Sequence, residues 1–389
     1  MIYLHVPFCR SFCIYCGFYS ELAGRIQSGN AFPCGGRKVQ QTGNERERME
    51  RYASEVIAEI NRRKEEILVS ADSSQTEGSA DTLYIGGGTP SVLPEELLFR
   101  ILDAVEAVFP PGHRFQEFTV EVNPEDIVHK GKAYVEALMS RGVDRISMGI
   151  QSFDDSILKW MNRRHDAGRA LEAFRLLREA GMENISIDLI FGLPGLDSAT
   201  WHRTLEKAIS LHPDHISSYQ LSVDDNSALG RMAEEGRFEE APEELCRQQY
   251  EDLCKTLSEA GFHHYEISNF SLPGREAVHN SAYWRRVPYV GLGPGAHSMK
   301  NDRIRTANTE GIPWKMEKEE LTDEDIKVET IMLGLRTDIG VKKSYIYEKV
   351  DRKIVESYLQ TGLLVSTGDS FRIPENQFFV SDQIICGLI

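Results

Sequence analysis

Long uncharged apolar runs are missing from this chain. None approaches the roughly 18 residues that a membrane-crossing helix needs, so a bilayer span is not expected. Cysteine is scarce, with 7 in 389 residues, too few for a disulfide scaffold at this length. Basic charge is in deficit: 44 Lys and Arg face 60 Asp and Glu, a net of −16. That balance argues against broad attraction to nucleic acid or anionic lipid. No nucleic-acid partner is expected, while a local basic patch leaves room for peripheral membrane contact. Residues Met1 to Cys9 carry no basic leader before their apolar positions and no small-residue cleavage site after them, which sets a cytoplasmic address as the expectation. What is present is ordinary: 41% hydrophobic and 27% charged residues are the proportions of a folded globular chain, and the length gives a prior of two to three domains.

Short apolar runs, several rich in β-branched residues, recur at residues 2–6, 82–85, 118–122, 145–150, 185–191 and 215–221, and read as buried strands. Helical spacing fills intervals between them, as in Met49, Tyr52, Val56 and Ile60, or Leu98, Ile101, Leu102 and Val105. Alternating strands and helices predict an α/β fold with a parallel sheet and right-handed crossovers. Period alone does not choose between an open doubly wound sheet and a partial barrel. A helical stretch through Leu253 and Leu257, then Tyr265 to Phe270, extends this unit, giving a core over residues 1–303, a linker over 304–321 and an accessory domain over 322–389. Thr322 followed by Asp323, Glu324 and Asp325 is a helix start. A turn signal within 363–373 separates two extended runs, so the smaller domain is expected to be helical and winged-helix-like. Residues 23–44, with Gly24, Gly29, Gly35, Gly36 and Gly43, read as a loop insert, disordered rather than a lid.

Three cysteines lie within eight residues: Cys9-Arg-Ser-Phe-Cys13-Ile-Tyr-Cys16. One loop after the first strand can wrap these thiolates around a soft-metal centre. Four irons with three protein ligands would leave one metal corner open to a small molecule. The alternatives are a zinc site missing its fourth ligand, or buried cysteines that merely lie close. Cys246 and Cys254 read as small core side chains, Cys34 as a loop thiol, Cys386 as tail packing, and His263 with His264 as a polar pair.

The CxxxCxxC spacing, with Ile85-Gly-Gly-Gly-Thr-Pro90, resembles radical S-adenosylmethionine (SAM) proteins. His5-Val-Pro-Phe-Cys9, Glu121-Val-Asn-Pro-Glu125, Ser147-Met-Gly-Ile-Gln-Ser-Phe153, Asp188-Leu-Ile-Phe-Gly-Leu-Pro-Gly195 and Gly291-Leu-Gly-Pro-Gly-Ala-His297 carry the likeness through nearly the whole chain. Together they resemble the oxygen-independent coproporphyrinogen III oxidase family, and within it the heme chaperone (HemW) branch. The resemblance implies a partial parallel (β/α)6 barrel and a [4Fe-4S] cluster on Cys9, Cys13 and Cys16. It also implies a SAM site drawn from Tyr3, Gly86, Gly87, Gly88, Thr89, Glu121, Gln151, Arg163 and Asp188, with Arg164 adjoining Arg163 as a rival. In such a site the glycines let backbone approach the ligand.

The chemistry implied is reductive cleavage of SAM, fed by an electron donor. His279-Asn-Ser-Ala-Tyr-Trp284 matches a heme-associated segment of the chaperone branch, which makes His279, Tyr283 and Trp284 candidate heme contacts and acceptor hemoproteins the expected partners; a packed loop is the plainer reading. A homodimer is left open. The oxidases carry a further cysteine where Phe18 stands, and an amino-terminal extension before their cysteines. Both departures favour the chaperone over oxidative decarboxylation of coproporphyrinogen III, which stays as the alternative.

Overall fold

Along the strand segments the side chains alternate. Phe118, Val120 and Val122 interleave with Glu117, Thr119 and Glu121, and Ile185, Ile187 and Leu189 with Ser186 and Asp188. A period of two commits each strand to one apolar and one polar face. The computed structural model describes residues 1–23, 44–71 and 80–389. In it these segments form β1 (Ile2–Val6), β2 (Thr82–Gly87), β3 (Glu117–Val122), β4 (Arg145–Gln151), β5 (Asn184–Phe191) and β6 (His215–Gln220).

The six strands pair in parallel, each with its neighbour in sequence. A doubly wound sheet turns back on itself at a switch point; this order never does. The chain is therefore the partial parallel (β/α)6 barrel. Its apolar strand faces join one core with the helices that follow them: α1 (Glu45–Arg62), α2 (Lys64–Ala71), α3 (Glu95–Glu106), α4 (Pro124–Met139), α5 (Asp155–Trp160), α6 (Ala167–Glu179) and α7 (Ser198–Ser210). The polar faces meet one another and line the lumen.

Beyond β6 come α8 (Ala228–Glu234), α9 (Glu243–Glu259), and antiparallel β7 (His263–Glu266) and β8 (Asn269–Ser271). After α10 (Val278–Trp284), β9 (Val290–Leu292) adds in parallel to the free edge of β1. Residues 304–321, expected as a linker, instead carry β11 (Ile304–Asn308) and β12 (Met316–Glu320); β11 pairs with β10 (His297–Met299) on one side and β12 on the other in an antiparallel sheet. The charged, exposed residues of β12 and the mixed, half-buried ones of β11 hid the strand pattern.

Thr322 caps α11 (Asp323–Leu335) in a capping box with Asp325. The chain continues as β13 (Val341–Lys342), α12 (Lys343–Lys349), α13 (Arg352–Thr361) and the hairpin β14 (Val365–Thr367) to β15 (Ser370–Arg372), closing with α14 (Ser381–Cys386). This helix-and-hairpin unit shares the hydrophobic core of the barrel. Cys386, expected to pack in the tail, is exposed. Most of the glycine-rich insert, Cys34 included, lies outside the described residues, but Ala23 is buried and Asn44 caps α1 with Glu47. Among the described residues no helix is long and apolar enough to cross a membrane.

Candidate cofactor site

The cysteine loop leaves the carboxyl end of β1 and is held on three sides. Gly88 N–H donates to Val6 O at 2.8 Å and Thr89 N–H to Phe8 O at 2.8 Å, joining it to the end of β2. Ile14 N–H donates to Met161 O at 3.2 Å and Asn162 Nδ2 to Phe12 O at 2.7 Å. Leu229 N–H of α8 donates to Ile14 O at 2.8 Å. The Met161–Asn162 anchor exists because α5 ends in a left-handed residue, Asn162 at φ 59°, the usual way to close a helix. That turn also throws Arg163 back across the strand ends.

Cys9, Cys13 and Cys16 form no disulfide and are half-buried. Burial pushes the Cys9 thiol up to about 12 against the opposing Thr89 hydroxyl, which lies 3.5 Å from its Sγ, and the thiols of Cys13 and Cys16 add to the rise. A metal must therefore displace the proton, which couples its binding to pH. Among the described residues no three His, Cys, Asp or Glu side chains group around a point that could hold a single ion. A single zinc ion bonds sulfur at about 2.3 Å and draws its thiolates around one centre. A multi-iron cluster binds each thiolate through a different iron and makes no such demand, and the three-thiol donor set fits it.

Beneath the loop lies the polar lumen. Glu121 accepts from Tyr84 OH at 2.7 Å and from Gly87 N–H at 3.2 Å. A Cβ on Gly86 would lie 2.8 Å from the Glu121 carboxyl carbon, and one on Gly87, at φ +111°, 2.6 Å from the His5 ring. The side-chain space at Gly86 and Gly87 is thus taken by this chain's own Glu121 and His5, while Gly88 lies against the backbone of Phe8. Burial pushes Glu121 up to about 7; the Tyr84 hydrogen bond opposes this and the Asp188 charge adds to it. Asp188 is itself raised by burial, with Arg145 pulling the other way, and accepts from Ser147 Oγ at 3.4 Å.

On β4 a bulge places Gln151 at φ 71°, a backbone region that costs a non-glycine residue about 1–3 kcal/mol and is found at ligand sites. A Cβ on Gly149 would sit 2.8 Å from Gln151 Nε2 and 3.3 Å from Arg163 Nη2. Arg163 donates through Nη2 to Gly149 O and through Nη1 to Cys13 Sγ at 3.3 Å. Burial works against its charge, yet Cys13 and Tyr15 raise its pKa. Arg164 turns away to pair with Asp126 at 2.8 Å.

Glu121, Gln151, Arg163 and Asp188 thus come together below the thiols. Tyr3 stands further down β1, where its hydroxyl is hydrogen-bonded to His5 Nδ1 at 3.0 Å, and His5 Nε2 to Tyr19 O at 3.0 Å. Sequence reasoning overlooked His5, Tyr84, Ser147 and Arg145, although the alternation of polar residues along the strands was the signal. Arg145 is 2% exposed, its guanidinium among Glu117, Tyr84, Tyr265 and Asp188.

Residues 3–208 match the radical SAM superfamily model. The Bacillus subtilis heme chaperone HemW is 32% identical over 90% of this chain and 87% of its own length. The Lactococcus lactis heme chaperone HemW is 32% identical over 92% of this chain and 85% of its own. The chain belongs to the radical SAM superfamily and its HemW family. Among solved structures, the radical SAM enzyme coproporphyrinogen III oxidase HemN of Escherichia coli superposes with a TM-score of 0.75 at 19% identity, covering 99% of this chain and 89% of that one. The likeness is one of fold, accessory unit included.

One segment of this HemW-family chain departs from expectation. His279, expected to face heme, is fully buried. Its Nδ1 is hydrogen-bonded to Thr82 Oγ1 at 2.7 Å and its Nε2 to Tyr283 OH at 3.0 Å, and its ring stacks on Tyr84 at 5.1 Å. Burial lowers its pKa to about 3. Both ring nitrogens are thus engaged within the fold. The segment forms α10, whose first amides donate to Glu117, Val278 N–H at 2.7 Å and His279 N–H at 3.1 Å, an acid at the positive end of a helix.

Proposed function

We propose that this chain is a cytoplasmic heme chaperone that carries a [4Fe-4S] cluster on Cys9, Cys13 and Cys16, binds SAM in the lumen beside it, and passes heme to acceptor hemoproteins. One observation carries the reading: Arg163, beside Gln151 across Gly149, reaches the Cys13 thiol at 3.3 Å, in a chain 32% identical over 90% of its length to a named heme chaperone. When bound, such a cluster supplies a one-electron reductant and an iron corner free for chelation.

The chain's own residues bind and orient. Glu121 and Asp188 offer negative charge to a cationic sulfonium nucleoside and its amine. Arg163 offers a fork to its carboxylate, and Gln151 a neutral donor and acceptor. Tyr3, Thr89 and the backbone of Gly86 to Gly88 complete the pocket wall. An electron donor for the cluster and a homodimeric state belong to the same reading.

The test is transfer. Cluster-reconstituted protein loaded with heme is mixed with an apo-hemoprotein, and the acceptor's absorption spectrum is followed with and without SAM. Appearance of the acceptor's holo spectrum faster than from free heme is expected. No saturable heme uptake would sink the reading. Anaerobic conversion of coproporphyrinogen III would replace it with the oxidase activity, against which the exposed Phe18 stands at the position of the oxidases' further cysteine.

A further inference from the structure

The His279–Trp284 segment divides between two sides of α10. His279 and Tyr283, four residues apart, share one face and are turned into the barrel by Thr82 and Tyr84. Ser281, Trp284 and Arg285 share another, and line a groove of about 400 Å³ whose far wall is the end of α11, β13 and the start of α12. That volume falls within the roughly 300–1,000 Å³ of small-molecule sites.

The groove has a distinct chemistry. Trp284, Tyr265 and Tyr345 supply aromatic surface, and Ile339 lies 59% exposed. The indole Nε1–H of Trp284 is buried and has no hydrogen-bond partner, a donor that an acceptor on a ligand would satisfy. Arg285 and Lys342 stand exposed on opposite walls. Of its two acids, Asp338 is paired with His263 at 3.0 Å, while Asp302 is exposed. Aromatic walls, an orphaned donor and cations on both sides suit a flat, largely apolar ring system that carries carboxylates.

We propose that this groove between α10 and the accessory unit, rather than His279, is where the chain takes a planar tetrapyrrole bearing propionates. The inference rests on the heme-chaperone reading and deepens it by placing the cargo. It also gives the accessory unit a role, since one wall of the site belongs to it.

The experiment titrates heme into the full-length, cluster-loaded chain and into Lys342→Glu and Ile339→Glu variants, each a substitution of an exposed side chain whose fold is checked by circular dichroism. The same titration is run with the propionates esterified. Reversing a charge at a binding rim is expected to weaken heme by roughly tenfold, and the loss in Lys342→Glu should vanish with the ester. Ile339→Glu should weaken both ligands. Wild-type binding with both variants unchanged overturns the groove and leaves the chaperone reading standing. Absence of saturable binding to the wild type overturns the chaperone reading, and the groove with it.

Discussion

Replacing His279 with Ala separates a structural histidine from an iron ligand. In the fold the ring closes two buried hydrogen bonds, to Thr82 at 2.7 Å and to Tyr283 at 3.0 Å, and stacks on Tyr84 at 5.1 Å. Truncation leaves the Thr82 hydroxyl, which is 0% exposed, without its partner, and leaves the Tyr283 hydroxyl likewise. Each buried orphan costs about 1–3 kcal/mol, and loss of the aromatic contact about 0.5–1.5 kcal/mol more. Because these contributions share one site and do not simply add, a total of about 3–5 kcal/mol is expected. With roughly 2 cal/mol/K of unfolding entropy per residue, a chain of 389 residues should lose about 4–6 °C from its thermal midpoint. Differential scanning calorimetry of the heme-free protein measures this. A variant that keeps the wild-type midpoint but loses heme affinity would contradict the structural assignment and restore His279 as a ligand.

Gly149→Ala puts a methyl 2.8 Å from Gln151 Nε2 and 3.3 Å from Arg163 Nη2; calorimetric titration should show SAM affinity falling by about tenfold or more with the far-ultraviolet spectrum unchanged. Burial raises Glu121 to about 7 from 4.5, so the folded state holds a proton that the unfolded state has released, and its contribution to stability is lost as pH rises from about 4.5 through 7. SAM affinity runs the other way, rising between pH 6 and 8 as the carboxylate ionises. Glu121→Gln should flatten that part of both profiles, and a variant that keeps the wild-type slope would remove Glu121 from the site. Serine at Cys9, Cys13 or Cys16 should abolish iron and labile sulfide after reconstitution, whereas Cys386→Ser, at an exposed position, should leave both intact.

The six barrel strands were legible in the sequence nearly to the residue because strands built on one apolar face carry short segments rich in apolar and β-branched residues. The helix cap at Thr322 and the 363–373 hairpin were legible because capping and turn chemistry are local. The clustering of Cys9, Cys13 and Cys16 within eight residues was legible for the same reason, being local to one loop. Half-buried β11 and the exposed, charged β12 gave no such signal, since β11 gains its order from pairing with β10 and β12 from pairing with β11.

Strand order, the choice between a doubly wound sheet and a barrel, was decided only by pairing between segments distant along the chain. So were the polar lumen, the carboxylate of Glu121 filling the space beside Gly86, and the turn of Arg163 toward Cys13 while Arg164 pairs with Asp126. The side of α10 on which each motif residue lies was settled the same way. A sequence states which side chains a helix carries, but burial against β2 turned His279 inward, and packing of the accessory unit left Trp284 at a groove.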